Sequence, residues 1–335
     1  MAHDKAARPT IRLLREDLPE GWLQVEQFRA AAQEQWDDLH PFAAVDHPIV
    51  RKASESLGPN PAFDSTTQLI SCSGDLRLIE IRHSQWRAGV WTDHESGVRW
   101  VVTAGLAKGG HKDHDDFYEQ LELLVGLGKA NSLLPSEKDR LLLKRETMAR
   151  ELTRWEMEIQ ESITLALEAV LSLGIHRIDI RHPLRPEKFA AIELAYASVA
   201  DLSDGCEELV VEFIFENKFV GSELGWEART RVLNTLCPPV QKWDRTKDIY
   251  SIVMEPGFCA RQVELLRTAN SDGQLMQAEL GNASHYAHQR HIADSSVFGK
   301  SIRALCGVYF VPSQDHKEMP VCPNCTGVHQ RLPDR

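Results

Sequence analysis

From Asn131 to Leu173 the chain reads NSLLPSEKDRLLLKRETMARELTRWEMEIQESITLALEAVLSL, without a glycine, and then meets Gly174. Leu, Glu, Lys, Arg, Met and Ala dominate it, and these are the strongest helix formers. The stretch is predicted as one long helix with Gly174 as its terminator. After it, "IHRIDI", "EELVVEFIFENK" and "IYSIVM" are strand-like and "GWEARTRVLNTL" is helical. Residues 131–275 are therefore expected to form a mixed α/β region led by the long helix. Charged pairs within it, such as Glu146 with Arg150, read as a solvated helix face. The region carries no recognisable catalytic motif, internal repeat or low-complexity segment.

Ahead of that helix the patterning differs. "DLPEGWLQVEQFRAAAQEQWDD" (17–38) reads as a helix, with Asp17 as cap, Pro19 in its first turn and Leu23, Phe28 and Trp36 facing the core. A second helix covers part of 46–57 and stops at "GPNP". "RLIEIR" alternates, with Ile79 and Ile81 on one face and Glu80 and Arg82 on the other. "WRAGVW" and "VRWVVTAGL" follow as further strands, separated by the turn-rich "TDHESG". The loop "AKGGHKDHDD" then leads to a helix from about 115, on which Phe117, Leu121, Leu124 and Val125 share one face. Residues 1–130 thus read as two helices, an antiparallel meander and a closing helix.

The chain's 335 residues suit two or three domains, and 42% apolar with 26% charged content is ordinary for a soluble globular protein. No run approaches the roughly 18–20 apolar residues of a spanning helix. The first residues, "MAHDKAARPTIRLLRED", hold no apolar block of a signal peptide, so a cytoplasmic location without membrane contact is expected. Seven scattered cysteines argue against a secreted disulfide framework. Cys72, Cys206, Cys237 and Cys259 stand alone and read as buried thiols acting as small hydrophobes. A net charge of −11 is unlike that of a protein that coats DNA.

The remaining cysteines are not alone. "PVCPNC" places Cys322 and Cys325 on one tight turn, where both thiolates can bind one tetrahedral ion. Cys306 lies upstream, and "SHYAHQRH" lies before that. Three Cys and one His form a common closed zinc set. The residues by themselves do not choose among His285, His288, His291 and His329. A redox C-x-x-C would need a thioredoxin-like strand-to-helix context. A catalytic zinc would need an open position, and the H-x-E half of the deaminase pattern is missing here.

The last fifty or so residues resemble a small actinobacterial domain family of unknown function. The resemblance rests on His285-Tyr286, Ile292, Val297-Phe298-Gly299, Ala304-Leu305-Cys306-Gly307, Val311-Pro312 and Pro320-Val321-Cys322-Pro323-Asn324-Cys325. It implies His285 as the fourth ligand, beside Cys306, Cys322 and Cys325. It brings a structural zinc and no chemistry.

Between Ile81 and Lys112 stand Arg82, Arg87, Arg99, Lys108 and Lys112, opposed only by Asp93 and Glu95. His83, His94 and His111 share this island, and His114 lies just past it. Metal-free phosphodiester cleavage needs such groups: a base for the 2′-OH, cations for the phosphorane and an acid for the leaving 5′-oxygen. The order Glu80-Ile81-Arg82, Trp86-Arg87, "WVVTAGLAK" and "GGHKDHDDFYEQLELL" resembles the RelE/HigB-like toxin superfamily, small ribosome-dependent mRNA endonucleases, over residues 15–130. The loop departs from the paired lysines and Thr-Pro common in that family, which makes transfer to His111 and Lys112 less direct than to Arg82, Arg87 and Lys108. The resemblance implies Arg82, Arg87, Lys108, His111 and Tyr118 as catalytic residues, with Arg99 and Lys112 binding RNA.

The chain is accordingly expected to be an α+β multi-domain protein. A RelE-like antiparallel sheet with helices occupies 1–130, an α/β domain 131–275 and a Cys3His zinc module 276–335. Its expected activity is metal-independent cleavage of RNA, with RNA or the ribosome as partner and an antitoxin protein as a further one. The rival reading is a non-enzymatic adaptor that uses the same basic face to bind RNA, a ribosome or a protein.

Overall fold

The computed structural model describes residues 7–332 apart from 59–61, 63, 109–112, 200–204, 239–242, 278–282, 289–291, 293–301, 311, 313–316 and 318. The architecture is mixed α+β with two main sheets and one long helix. The chain divides into two compact units, Met1–Ala149 and Arg150–Arg335, and the division falls inside that helix.

The first unit is built on a four-stranded sheet. Strand β1 (Arg8–Pro9) runs parallel to β4 (Arg99–Leu106), which pairs antiparallel with β3 (Trp86–Thr92) and through it with β2 (Ile79–His83), giving the order β1-β4-β3-β2. Helices α1 (Val25–Ala32) and α2 (Pro48–Ser56) precede the meander, and α3 (Phe117–Gly126) follows it. Ile81, Ala88, Val90 and Val101 pack with Ile49, Val50 and Ala53 of α2. Leu78, Trp100 and Val102 pack with Phe117 and Leu121 of α3. Both faces of the sheet are therefore covered. That is why "WVVTAGL" is almost continuously apolar rather than alternating.

The expected helix over 17–38 does not form as one piece. A π-turn spans Leu13–Asp17, α1 covers only Val25–Ala32, and a 3-10 turn spans Trp36–Leu39. Asp17 cannot cap a helix because its carboxylate accepts from Arg12 (2.9 and 2.7 Å) and from the Ala104 N–H (3.0 Å). Gly21 takes a left-handed conformation (φ +88), and Glu34 in another (φ +57) ends the next turn. Leu23 and Phe28 consequently point to solvent, whereas Trp36 is buried as expected. Glu80, on the face of β2 opposite Ile79 and Ile81, is buried because α3 covers that face of the sheet.

The long helix, α4, runs Glu137–Leu173 and is followed by Gly174 at φ +78, as predicted. It begins later than Asn131 because Ser136 and Asp139 cap it reciprocally, Ser136 N–H to Asp139 at 2.8 Å and Asp139 N–H to Ser136 at 3.2 Å. The other Asp139 oxygen accepts from the Ile11 N–H at 2.7 Å. Glu146 is not on a solvated face. It pairs with Arg8 at 3.2 Å and His40 at 3.1 Å, and the Arg8 and Glu146 side chains are 4% and 9% exposed. Arg8 also lies over the rings of Phe42 and Trp100.

The second unit holds a five-stranded sheet of order β5-β6-β7-β9-β8, with every pairing antiparallel. Its strands are β5 (Ile175–Arg181), β6 (Lys188–Val199), β7 (Cys206–Phe215), β8 (Asp244–Thr246) and β9 (Ile249–Met254). Trp155, Ile159, Ile163, Leu167 and Val170 of α4 pack on its inner face. Val232 and Leu233 of α5 (Glu223–Leu236) and Val263 and Leu266 of α6 (Phe258–Ser271) join the same core. Strand β6 and helix α6 escape sequence reading. "KFAAIELAYASV" is rich in alanine, which favours helix over strand, and its long pairings with β5 and β7 override that preference. Cys237 and Cys259 are buried, while Cys72 and Cys206 are only partly covered.

At the start of α6, the buried Glu207 carboxylate accepts from the N–H groups of Gly257 (2.6 Å) and Cys259 (3.0 Å). Burial works to raise its pKa, but these backbone bonds outweigh it and hold Glu207 below the ordinary carboxylate value. A depressed folded pKa stabilises the protein at neutral pH, and that contribution is lost as pH falls through the folded value. Glu207→Gln should therefore cost about 1 kcal/mol at pH 7 and flatten the loss of stability below about pH 4, as read by denaturant titration across pH. Identical wild-type and variant pH profiles would contradict this.

Candidate functional site

Two clusters hold the chemistry-bearing side chains. In the C-terminal segment, β10 (Ile302–Arg303) and β11 (Tyr309–Phe310) form a short hairpin. Cys306 lies in its turn, which closes through Gly307 N–H to Ala304 C=O (3.0 Å) and Ala304 N–H to Val308 C=O (2.7 Å). Gly307 needs its missing side chain twice over. Its φ is +97, and a Cβ would stand 3.1 Å from the Trp243 carbonyl. Cys322 stands at the position just before helix α7 (Pro323–His329), Pro323 occupies the first helical position, and Cys325 falls in the first turn.

His285 is held between these two pieces. Ser284 bridges Val321 in parallel, through Ser284 N–H to Pro320 C=O and Cys322 N–H to Ser284 C=O, both 2.9 Å. On the other side Leu305 N–H donates to Tyr286 C=O at 2.6 Å, and Ala287 bridges Ala304. The His285 Nδ1 atom then lies 3.5 Å from the Cys306 sulfur and 3.6 Å from the Cys325 sulfur, while the sulfurs of Cys306 and Cys322 are 3.9 Å apart. All four ligand atoms fall within 4.8 Å of one another. Ordinary zinc bonds at the tetrahedral angle place N and S about 3.6 Å apart and two S atoms about 3.8 Å apart. The cluster is therefore close enough to hold a metal ion, with dimensions consistent with zinc.

Its donor chemistry fits the same ion. Burial keeps the His285 imidazole below its ordinary pKa and so neutral, the form that binds metal. Burial also pushes the Cys306 thiol up to about 12, with Cys325 and Cys322 adding to the effect. Such a thiol stays protonated unless a cation replaces its proton. Of the other candidate histidines, His329 packs at a tilt against the Tyr286 ring, His288 stands outside the group and His291 lies outside the described residues.

The second cluster is in the first unit. Arg82 on β2 and Arg87 on β3 are directly opposite one another in the sheet. Arg82 donates to the Glu80 carboxylate at 2.6 Å, and the Tyr118 hydroxyl on α3 donates to its other oxygen. Arg87 donates to the Ser84 and Trp86 carbonyls, both at 2.8 Å. Burial works to raise the Glu80 pKa, but the bonds from Arg82 and Tyr118 outweigh it and keep the carboxylate ionised. Burial and Glu80 together raise the Tyr118 pKa, against the opposing pull of Arg87, so the phenol keeps its proton. Glu80 and Arg82 lie on one face of β2, which Leu78 just before the strand continues, and the three step from the core to the rim.

Three expected residues, Arg82, Arg87 and Tyr118, thus gather around Glu80, which the sequence reading did not include. Its signal was the strand alternation that put it on the Arg82 face. Lys108 is engaged nearby, its ammonium 3.0 Å from Asp113 and 3.4 Å from Asp115. Arg99 is a correction. It points inward with a side chain 7% exposed, forms a two-point ion pair with Asp64 (2.7 and 2.8 Å) and donates to the Gly58 carbonyl. The guanidinium is spent on these buried partners rather than presented at the surface. His111 and Lys112 lie outside the described residues.

Residues 277–332 match the model of a family described as a protein of unknown function (DUF3039), a span that encloses all four metal-ligand candidates. No curated protein and no solved structure matches the chain. Among the described residues, no helix is long and apolar enough to cross a membrane.

Proposed function

We propose that the first unit binds RNA at the Arg82–Arg87 face and cleaves it without a metal, and that the C-terminal cluster holds a structural zinc. The observation that carries the cleavage reading is the convergence of Arg82, Arg87 and Tyr118 around a buried carboxylate. Like charges directly opposite in a sheet repel, and Glu80 offsets only one of the two cations. A phosphate between the guanidiniums would satisfy the other. In this reading Arg87 stabilises the charge on the phosphorane, since guanidinium stays ionised and offers planar donors to phosphate oxygens. Tyr118 keeps its proton, donated to Glu80 in the free protein, and in this reading turns it to the leaving 5′-oxygen as the acid once RNA is bound, while Glu80 holds Arg82 in place. Lys108 adds positive charge once phosphate competes with Asp113 and Asp115. His111, the expected acid or base, is here assigned as the base for the 2′-OH.

A specific observation favours the adaptor as second reading: Arg82 and Lys108 already carry carboxylate partners. That arrangement suits reversible docking on an RNA or ribosome surface as well as catalysis. The deciding experiment incubates full-length protein with RNA, with and without ribosomes, and maps the ends. Cleavage should survive chelator that leaves the tail folded, leave 2′,3′-cyclic phosphate ends and stop at a 2′-deoxy substitution. Arg87→Ala should lower the rate by roughly 10²–10³-fold, the usual loss when a transition-state donor is removed. Cleavage that persists in an Arg87→Ala/Tyr118→Phe variant, or that requires added divalent metal, refutes the mechanism. Salt-sensitive binding without cleavage selects the adaptor.

A further inference from the structure

Three aspartates, Asp113, Asp115 and Asp116, close the loop after β4. Two of them stand at the surface. The Asp113 and Asp115 side chains are 53% and 76% exposed, and both meet the Lys108 ammonium. Asp116 differs, because it is wholly buried. One of its carboxylate oxygens accepts from the Tyr118 N–H at 2.9 Å, and the other accepts from the Lys108 N–H at 2.7 Å. The first bond is the N-cap of α3. The second belongs to no helix end and reaches eight residues back along the chain.

A capping carboxylate needs one oxygen and can keep the other in water. Burying a carboxylate is costly unless donors meet it, and here N–H groups from both ends of the loop do so. Those N–H groups belong to Lys108 and Tyr118, two residues of the proposed cleavage site. The rest of that site converges on the same end of β4. Gly105 pairs with Arg87 across the sheet, and the Ala107 N–H donates to the Gln85 C=O at 2.8 Å. A Cβ on Gly105 would stand 3.5 Å from Phe117, the residue before Tyr118. Tyr118 and Arg82 then meet on the Glu80 carboxylate.

We propose that Asp116 is a positioning residue, whose two oxygens fix the backbones of Lys108 and Tyr118 against one another and so hold both side chains at the Arg82–Arg87 face. This role rests on the RNA-cleavage reading, which is what gives Lys108 and Tyr118 a task. The two oxygens have separate duties. Oδ1 fixes Tyr118 through the cap, and Oδ2 fixes Lys108 across the loop. Serine also caps helices well, but its single oxygen on a shorter side chain cannot serve both donors. Asp116→Ser therefore keeps the cap of α3 and releases Lys108.

Two measurements on the full chain test this. Amide exchange without RNA should show Lys108 losing protection in Asp116→Ser while Tyr118 and Gln120 keep theirs. In RNA cleavage, Asp116→Ser should lower kcat/KM by at least about tenfold, the scale of loss expected when a reacting group is displaced by a fraction of an ångström to an ångström. The Asp116→Ser/Lys108→Ala double variant should be no slower than Lys108→Ala alone, because the second change removes the side chain that the first displaces. A merely structural role would make the two losses multiply. Losses that multiply, an unchanged rate in Asp116→Ser, or a Lys108 amide that stays protected there would each overturn the role of Asp116 and leave the cleavage reading standing. A wild type that does not cleave RNA defeats the cleavage reading itself, and this role with it.

Discussion

A Cys322→Ser/Cys325→Ser variant should lose about one zinc per chain and unfold the segment around residues 283–332, while the sheet of the second unit remains folded. Among the described residues of the segment the apolar cluster is Ala304, Cys322 and Cys325, lined by Ala283, Leu305, Cys306, Val308 and Phe310, and strands β10 and β11 are two residues each. Pieces of that size need a metal or a crosslink, and structural zinc supplies roughly 10–16 kcal/mol of folding free energy at neutral pH. With three thiolates and one imidazole there is no open position, so a lost ligand is not replaced by another side chain. Metal analysis gives the stoichiometry, and hydrogen exchange reports protection across the segment. The five-stranded sheet should keep its protection because its core lies in α4, α5 and α6. Full zinc retention in the double variant would sink the assignment of these ligands. Cys206→Ser, which changes a thiol outside the cluster, should leave zinc content unchanged.

Removing Glu146 should be strongly destabilising to the first unit. Glu146→Ala leaves the Arg8 guanidinium buried beside Phe42 and Trp100 with its carboxylate gone. Breaking a buried ion pair from one side typically costs about 3–5 kcal/mol, because the remaining cation keeps its desolvation penalty and loses the attraction of the carboxylate. Replacing both partners by apolar residues, Arg8→Met with Glu146→Leu, should cost much less, since no charge is then stranded. Denaturant melts of the two variants give the comparison. Equal losses for the single and the double change would show that packing at this site, and not the stranded charge, sets the effect.

What local sequence could specify, it did. Helix α4 follows from uninterrupted helix formers and from Gly174, which takes the left-handed conformation that ends it. The β2–β3–β4 meander follows from alternation and turn residues, and α3 from the spacing of Phe117 and Leu121. The C-x-x-C turn and Cys306 named three of the four members of the Cys/His cluster from the residues themselves. All of these are effects within a few residues, where propensity and period act directly.

The rest depended on partners far away in the chain. Spacing left four histidines open, and the geometry brings His285 in through the bridges from Ser284 to Val321 and from Ala287 to Ala304. Asp17 reads as a cap and is instead held by Arg12 and the Ala104 N–H. Arg99 reads as a surface cation and is drawn inward by Asp64, while Glu146 reads as a surface anion and is buried with Arg8. Strand β6 looks helical until β5 and β7 pair on either side of it. The physical reason is common to all of them. A charged or weakly propensive residue has several acceptable local states, and only the group that meets it after folding decides which one has the lowest free energy.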